Sequence, residues 1–149
     1  MRDIKELKIA KGGRSTVASL AELDKLEEKI GAALPASYRH FISEANGGHP
    51  ELDTFYGSEG SQWGVNNFFF AGDDSSVESL VWNYDNRPFD SSSKFLPIAR
   101  GGGGDLFCLD LVSGQIVIWL HDTQGDSVRL VAENFEAFID GLKENPDYI

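Results

Sequence analysis

Leu20, Leu23, Leu26 and Ile30 recur at intervals of three and four with charged residues between them, the pattern of a helix that buries one stripe. Ahead of that stripe, Ser19-Leu20-Ala21-Glu22 is a capping box: the Ser19 hydroxyl accepts from the Glu22 amide, and the Glu22 carboxylate accepts from the Ser19 amide. Gly31 supplies the stop. Leu34-Pro35 restarts the chain, and Tyr38, Phe41, Ile42 and Ala45 follow at helical spacing, predicting a second helix over about 35 to 45 that Asn46-Gly47-Gly48 ends. Short apolar runs separated by turn residues then predict strands over about 52 to 56 and 65 to 71. Asp73-Asp74-Ser75-Ser76, with Val77, Leu80, Val81 and Tyr84 behind it, predicts a third helix near 75 to 84 in which Asp73 and Asp74 act as N-terminal caps.

The last third reads as four strands, about 95 to 99, 106 to 111, 116 to 120 and 127 to 131, broken by Gly101 to Gly104, Ser113-Gly114 and Asp122 to Asp126. Asn134 caps a closing helix with Phe135, Phe138, Ile139 and Leu142 on one side. Helices first, strands clustered later and a final helix define an α+β fold: a mainly antiparallel sheet with two N-terminal helices, one middle helix and a C-terminal helix packed on one face. At 149 residues, with no internal repeat or linker, the chain reads as a single domain. Its opening residues alternate in charge up to Gly12-Gly13, so positions 1 to 14 read as a loosely held arm or an edge strand with a frayed end.

Charge changes this picture most. The chain has 24 acids and 13 bases, a net charge of −11. Residues 1 to 39 carry eight bases and six acids, and residues 40 to 149 carry five bases and eighteen acids. Such a surface repels nucleic acid and anionic lipid and attracts basic partners, besides keeping the protein soluble. No apolar run approaches the roughly 18 residues of a membrane span, and Met1 to Glu6 leads into no secretory stretch, so the expected compartment is the cytoplasm. A lone cysteine, Cys108, excludes an internal disulfide and a Cys-based zinc site, and its place in Leu106 to Leu111 suits a small buried residue.

Candidate chemistry is sparse. Gly101 to Gly104 before Asp105 lacks the Lys-Ser/Thr and following helix of a phosphate-binding loop, so it reads as a turn in which Asp105 accepts backbone hydrogen bonds or presents its charge to a partner. His121-Asp122 is the one adjacent His–carboxylate pair, and on a strand its members would face opposite ways, so no metal site is expected. No set of nucleophile, base and oxyanion donors can be assembled, and an enzyme is not expected. The residues expected to contact a partner are Glu51, Asp53, Phe69, Asp73, Asp74, Glu78, Asp105, His121, Asp122 and Asp126; if helices cover one face alone, either Phe69 or the pair Phe68 and Phe70 is left exposed. Burial of Phe68, Phe69 and Phe70 under a loop is the alternative. Trp63, Trp82 and Trp119 are core residues first and interface residues second.

Leu34-Pro35-Ala36-Ser37-Tyr38, Phe41-Ile42 and Asn46-Gly47-Gly48 after an amphipathic helix resemble the opening signature of the SUKH superfamily, which includes bacterial toxin-immunity proteins and the yeast cell-wall-assembly regulator. Phe95 to Ala99, Gly103-Gly104-Asp105, Gly114 to Trp119 and the Phe-rich terminal helix extend the resemblance over about residues 19 to 142. The run Gly101 to Gly104 departs from it by being richer in glycine. The resemblance implies a binding domain without catalysis or cofactor, whose Leu34, Pro35, Tyr38, Phe41, Asn46, Gly47, Gly48, Gly104 and Trp119 are structural. Its implied partner is a protein, a basic toxin domain such as a nuclease, or alternatively a cellular protein bound by a regulatory scaffold.

Overall fold

The computed structural model describes residues 1–10, 18–57, 60–89, 94–122 and 127–145. Four α-helices are present among them: α1 Leu20–Ile30, α2 Ala36–Glu44, α3 Leu80–Asp85 and α4 Phe135–Gly141. The strands are β1 Thr54–Tyr56, β2 Gln62–Phe68, β3 Phe95–Gly101, β4 Leu106–Asp110, β5 Ile116–Trp119, β6 Val128–Ala132 and β7 Leu142–Lys143. They form one antiparallel sheet in the order β6-β5-β4-β3-β2-β1-β7, so β1 to β6 follow one another as a meander and the chain end returns beside β1. The expected α+β class is the observed one.

Local signals act as read at α1. Ser19 and Glu22 form both halves of the capping box, and Gly31 closes the helix at φ 69°. Leu20, placed on the stripe by its spacing, sits at the first helical position and is 71% exposed, while Leu23, Leu26 and Ile30 are buried. In α2, Tyr38, Phe41 and Ile42 are buried. The third helix is shorter than its spacing suggests. Its cap is Ser79, whose hydroxyl accepts from the Trp82 amide at 3.0 Å, and not Asp73 or Asp74. Asp73 instead takes a left-handed φ of 45°, and its carbonyl accepts from the Ser76 amide, closing a separate turn.

The first ten residues are not a loose arm. Ile4 and Leu7 are buried in a 3-10 turn over Ile4–Leu7, the Arg2 guanidinium donates to the Ile139 and Leu142 carbonyls at 3.1 and 2.7 Å, and the Ala10 amide donates to His49. The chain start is thereby strapped to the chain end. Residues 11 to 14 of the expected arm lie outside the described residues.

Both faces of the sheet are covered at its centre, where helices on one face were expected. Residues opposed across an antiparallel ladder share a face. Leu96, Leu109 and Ile116 therefore lie together, as do Phe107 and Ile118, and all five are buried. Against them, α4 and α2 bring an aromatic seam: Phe107 to Phe138 at 5.4 Å, Phe135 to Tyr38 at 5.1 Å and Phe135 to Phe41 at 5.2 Å. On the opposite face Pro97, Cys108 and Val117 are also buried, and Phe89, just beyond α3, packs on Phe95 at 5.9 Å and Trp119 at 6.2 Å. The unbroken run Leu106 to Leu109 is what a strand covered on two sides requires.

Truncating the centre of this seam should be costly. Phe107→Ala should destabilise the domain by about 3 to 5 kcal/mol in urea unfolding, whereas Val112→Ala, at a position 81% exposed, should stay within about 0.5 kcal/mol. Equal effects at the two positions would contradict the packing described.

Candidate functional site

Gly102–Gly104 make one 3-10 turn between β3 and β4, with Gly103 at φ 71° and Gly104 at φ 103°. A Cβ on Gly104 would meet the His121 ring in ordinary contact at 3.7 to 3.9 Å, so it is the φ of 103°, not the imidazole, that calls for glycine there. Asp105 follows, and its Oδ1 accepts from the His121 amide at 3.2 Å and meets His121 Nδ1 at 2.7 Å. Of its two expected roles, Asp105 fills the first by holding backbone. Its hydrogen bond also raises the His121 pKa above the ordinary value, with smaller contributions from the charges of Asp105 and Asp122 working against a partial loss of hydration.

Because β5 ends at Trp119, His121 and Asp122 stand on a turn and not on a strand, so they are not forced to opposite sides. Ligand atoms of Asp105, His121 and Asp122 lie within 4.8 Å of one another, the one such grouping among the described residues. Two carboxylates and an imidazole are donors a divalent cation accepts, yet Asp105 and His121 Nδ1 are already engaged with each other. The pair locks the β5 exit onto the glycine turn. Asp126, expected in the same surface, lies outside the described residues.

The other expected contact residues fall into separate groups. Glu51 pairs with Lys8 at 3.6 Å, and Asp53 pairs with His49 at 3.8 Å while accepting from the Thr54 hydroxyl at 2.9 Å. Glu78 meets Arg100 at 2.5 Å and accepts from the Asn67 amide. Phe69 is not a contact residue: it is 1% exposed. The ladder ends at Phe68, which packs on Phe41 at 4.9 Å; the Phe69 amide then donates to Ile98, and Phe70 exchanges backbone bonds with Glu78 and Leu80. Arg100 lies 5.0 Å over the Phe69 ring as a lid.

Asp73 and Asp74 remain exposed, and they face residues that were read only as helix-forming. Between them and α1 lies a groove of about 510 Å³, lined on the helix by Glu22, Lys25 and Lys29 and floored by Leu26, Leu80 and Val81. A Cβ on Gly72, at φ 98°, would collide with the Glu22 carboxylate, so glycine there leaves room for that side chain. The missed signal was the spacing of 22, 25 and 29, which puts three charges on one polar side of α1.

The signature residues are structural. Leu34 is buried, its amide donates to Glu27 at 2.7 Å, and Glu27 also holds Arg39 at 2.5 Å, which fixes the Leu34-Pro35 junction. Tyr38 and Phe41 belong to the aromatic seam, and burial pushes the Tyr38 phenol pKa up. Burial likewise pushes up the Cys108 thiol, which keeps it protonated and inert. Asn46 imitates a backbone partner: its side chain donates to the Ala71 carbonyl at 3.0 Å and accepts from the Ala71 amide at 2.8 Å. Gly47 and Gly48 take φ of 90° and 120°, and a Cβ on Gly48 would strike the Ala10 carbonyl. Trp119 is half-buried on the second face of the sheet.

A family model described as SMI1 / KNR4 family (SUKH-1) matches residues 17–141. The chain belongs to this family. It is also 25% identical, over 164 aligned residues, to the SPbeta prophage-derived uncharacterized protein YokK of Bacillus subtilis (strain 168), covering 96% of this chain and 84% of that protein. In this SUKH-1 domain, then, the signature positions build the scaffold, and the charged rims described above are what it offers to solvent. No helix among the described residues is long and apolar enough to cross a membrane.

The Asp105–His121 lock has a pH signature. A raised pKa means the pair's contribution is fully present below the unfolded histidine value near 6.5 and is lost as pH rises through the folded one. In an NMR titration, Asp105→Asn should bring the His121 pKa down towards 6.5, and the stability gap to wild type, open below that pH, should shrink above it. An unchanged His121 pKa would show that Asp105 is not its partner.

Proposed function

We propose that this SUKH-1 domain is an immunity-type binding module that neutralises a cognate toxin by direct association, without chemistry of its own. The observation that carries the reading is the family match across residues 17–141. The prophage origin of the Bacillus relative supports it, as does the charge of the chain after residue 39, where eighteen acids face five bases.

The distribution of that charge gives the mechanism of approach. Some acids are engaged locally: Glu51 and Glu78 pair with Lys8 and Arg100, and Asp53 and Asp105 lie against the His49 and His121 rings. Others, Asp74 and Asp122 among them, stand exposed, and the net charge stays strongly negative. A basic toxin domain, such as a nuclease with its phosphate-binding groove, is drawn in by this field, and carboxylates occupy the places that phosphates would.

Stopped-flow mixing with the toxin domain encoded beside this gene tests the reading. Association should slow by about tenfold or more between 20 and 150 mM salt, because exposed charges are screened over about 8 to 10 Å at the higher value. Absence of binding to that toxin, with capture of a non-toxin cellular protein instead, would replace the immunity role with the regulatory one. A rate indifferent to salt would remove electrostatic steering.

A further inference from the structure

Asn46-Gly47 is the one Asn-Gly pair in the chain, and a glycine in second place brings a reactivity of its own. With no Cβ beside it, the Gly47 amide nitrogen is unshielded and can reach the Asn46 carboxamide carbon. In the fold both groups are committed elsewhere. The Asn46 carboxamide, on a residue 9% exposed, is engaged at both ends by Ala71: Nδ2 donates to the carbonyl at 3.0 Å, and Oδ1 accepts from the amide at 2.8 Å. The Gly47 amide donates to the Ala45 carbonyl at 3.1 Å. Next to it, Gly48 and Phe68 exchange backbone hydrogen bonds at 3.1 and 2.8 Å, and Gly47 packs so closely on Phe70 that an added Cβ would lie 2.9 Å from the Phe70 Cβ. Residues 46 to 48 are thereby stitched to residues 68 to 71.

We propose that Asn46-Gly47 is a self-modification site, closed in the folded chain and reactive when residues 46 to 48 leave residues 68 to 71. In the open chain the Gly47 nitrogen, its proton taken by hydroxide, attacks Asn46 Cγ. The new N–C bond closes a succinimide ring as the Cγ–Nδ2 bond breaks, and the nitrogen leaves as ammonia with a proton from water. Water then adds to either ring carbonyl and opens the ring to aspartate, or to isoaspartate, whose backbone runs through Cγ. The sum is loss of ammonia and gain of water, with no change of oxidation state. Neither product fits the fold as asparagine does. Aspartate at 46 has no donor for the Ala71 carbonyl and sets a carboxylate against it at a buried position, which costs more than a lost neutral hydrogen bond. Isoaspartate lengthens the backbone by one carbon, which shifts Gly47 and Gly48 from their close seats against Phe70 and the Ala10 carbonyl. The pair therefore records the time a molecule spends open, through local opening as well as global unfolding.

Peptide mapping by mass spectrometry on the full chain tests this. Held at mildly alkaline pH in guanidinium chloride above the unfolding transition, the chain should exchange NH2 for OH at position 46, with isoaspartate among the products. The folded chain should do so at least tenfold more slowly, and Asn66, which Asn67 follows, should stay unchanged over the same time. Below the transition, modification should accelerate with denaturant in step with hydrogen exchange of the Ala71 amide, the group that Asn46 Oδ1 holds. Chains modified at 46, and Asn46→Asp made directly, should unfold at a lower denaturant midpoint than the unmodified chain. Equal rates in the folded and unfolded chains would overturn the protection. An unfolded chain that stays unmodified at 46, or modified chains with an unchanged midpoint, would overturn the site and its consequence.

Discussion

The contact between Phe107 on β4 and Phe138 on α4 ties the two layers of the domain together. From Phe138 the seam runs to Phe135 and then to Tyr38 and Phe41 of α2, so helices from opposite ends of the chain meet on one strand of the sheet. Aromatic rings bury large areas and prefer tilted or edge-on geometry, which fixes orientation as well as distance. The position of α1, and hence of the groove it walls, depends on this layer because Leu23, Leu26 and Ile30 join the same core. A chain with no disulfide and a net charge of −11 holds its shape through that packing.

The same charge sets what the surface does. Several acids are anchored to neighbouring cations and serve the fold: Asp105 locks a turn through His121, and Glu27 fixes the Leu34-Pro35 junction. Others take no such structural part. This division, more than the total, separates the acids that hold the scaffold from those left to solvent, while the family signature lies in the core and the exposed rim is where change costs little stability.

What the sequence made legible was what local chemistry decides. The capping box at Ser19, the stop at Gly31 and the strands after residue 94 follow from neighbours within a few positions. The cap at Ser79 was missed because Asp73 and Asp74 are equally good caps by type, and only the bridge from Phe70 to Ser79 decides between them. The two-residue β7 was missed because its partner, β1, lies far away in sequence. Phe69 was assigned to a partner on the premise of a one-sided sheet, which the cover of Phe89 on the second face and of Arg100 over the Phe69 ring overturns. At the surface the acids could be named but not grouped, and Glu22 was hidden by its role as a cap.

Residual toxin activity measured against the molar ratio of the two proteins addresses the central claim most directly. Neutralisation by adhesion predicts a linear fall to an endpoint at a fixed ratio, independent of incubation time. Loss of toxin activity that keeps growing with time at sub-stoichiometric amounts of this chain would show turnover and contradict the account.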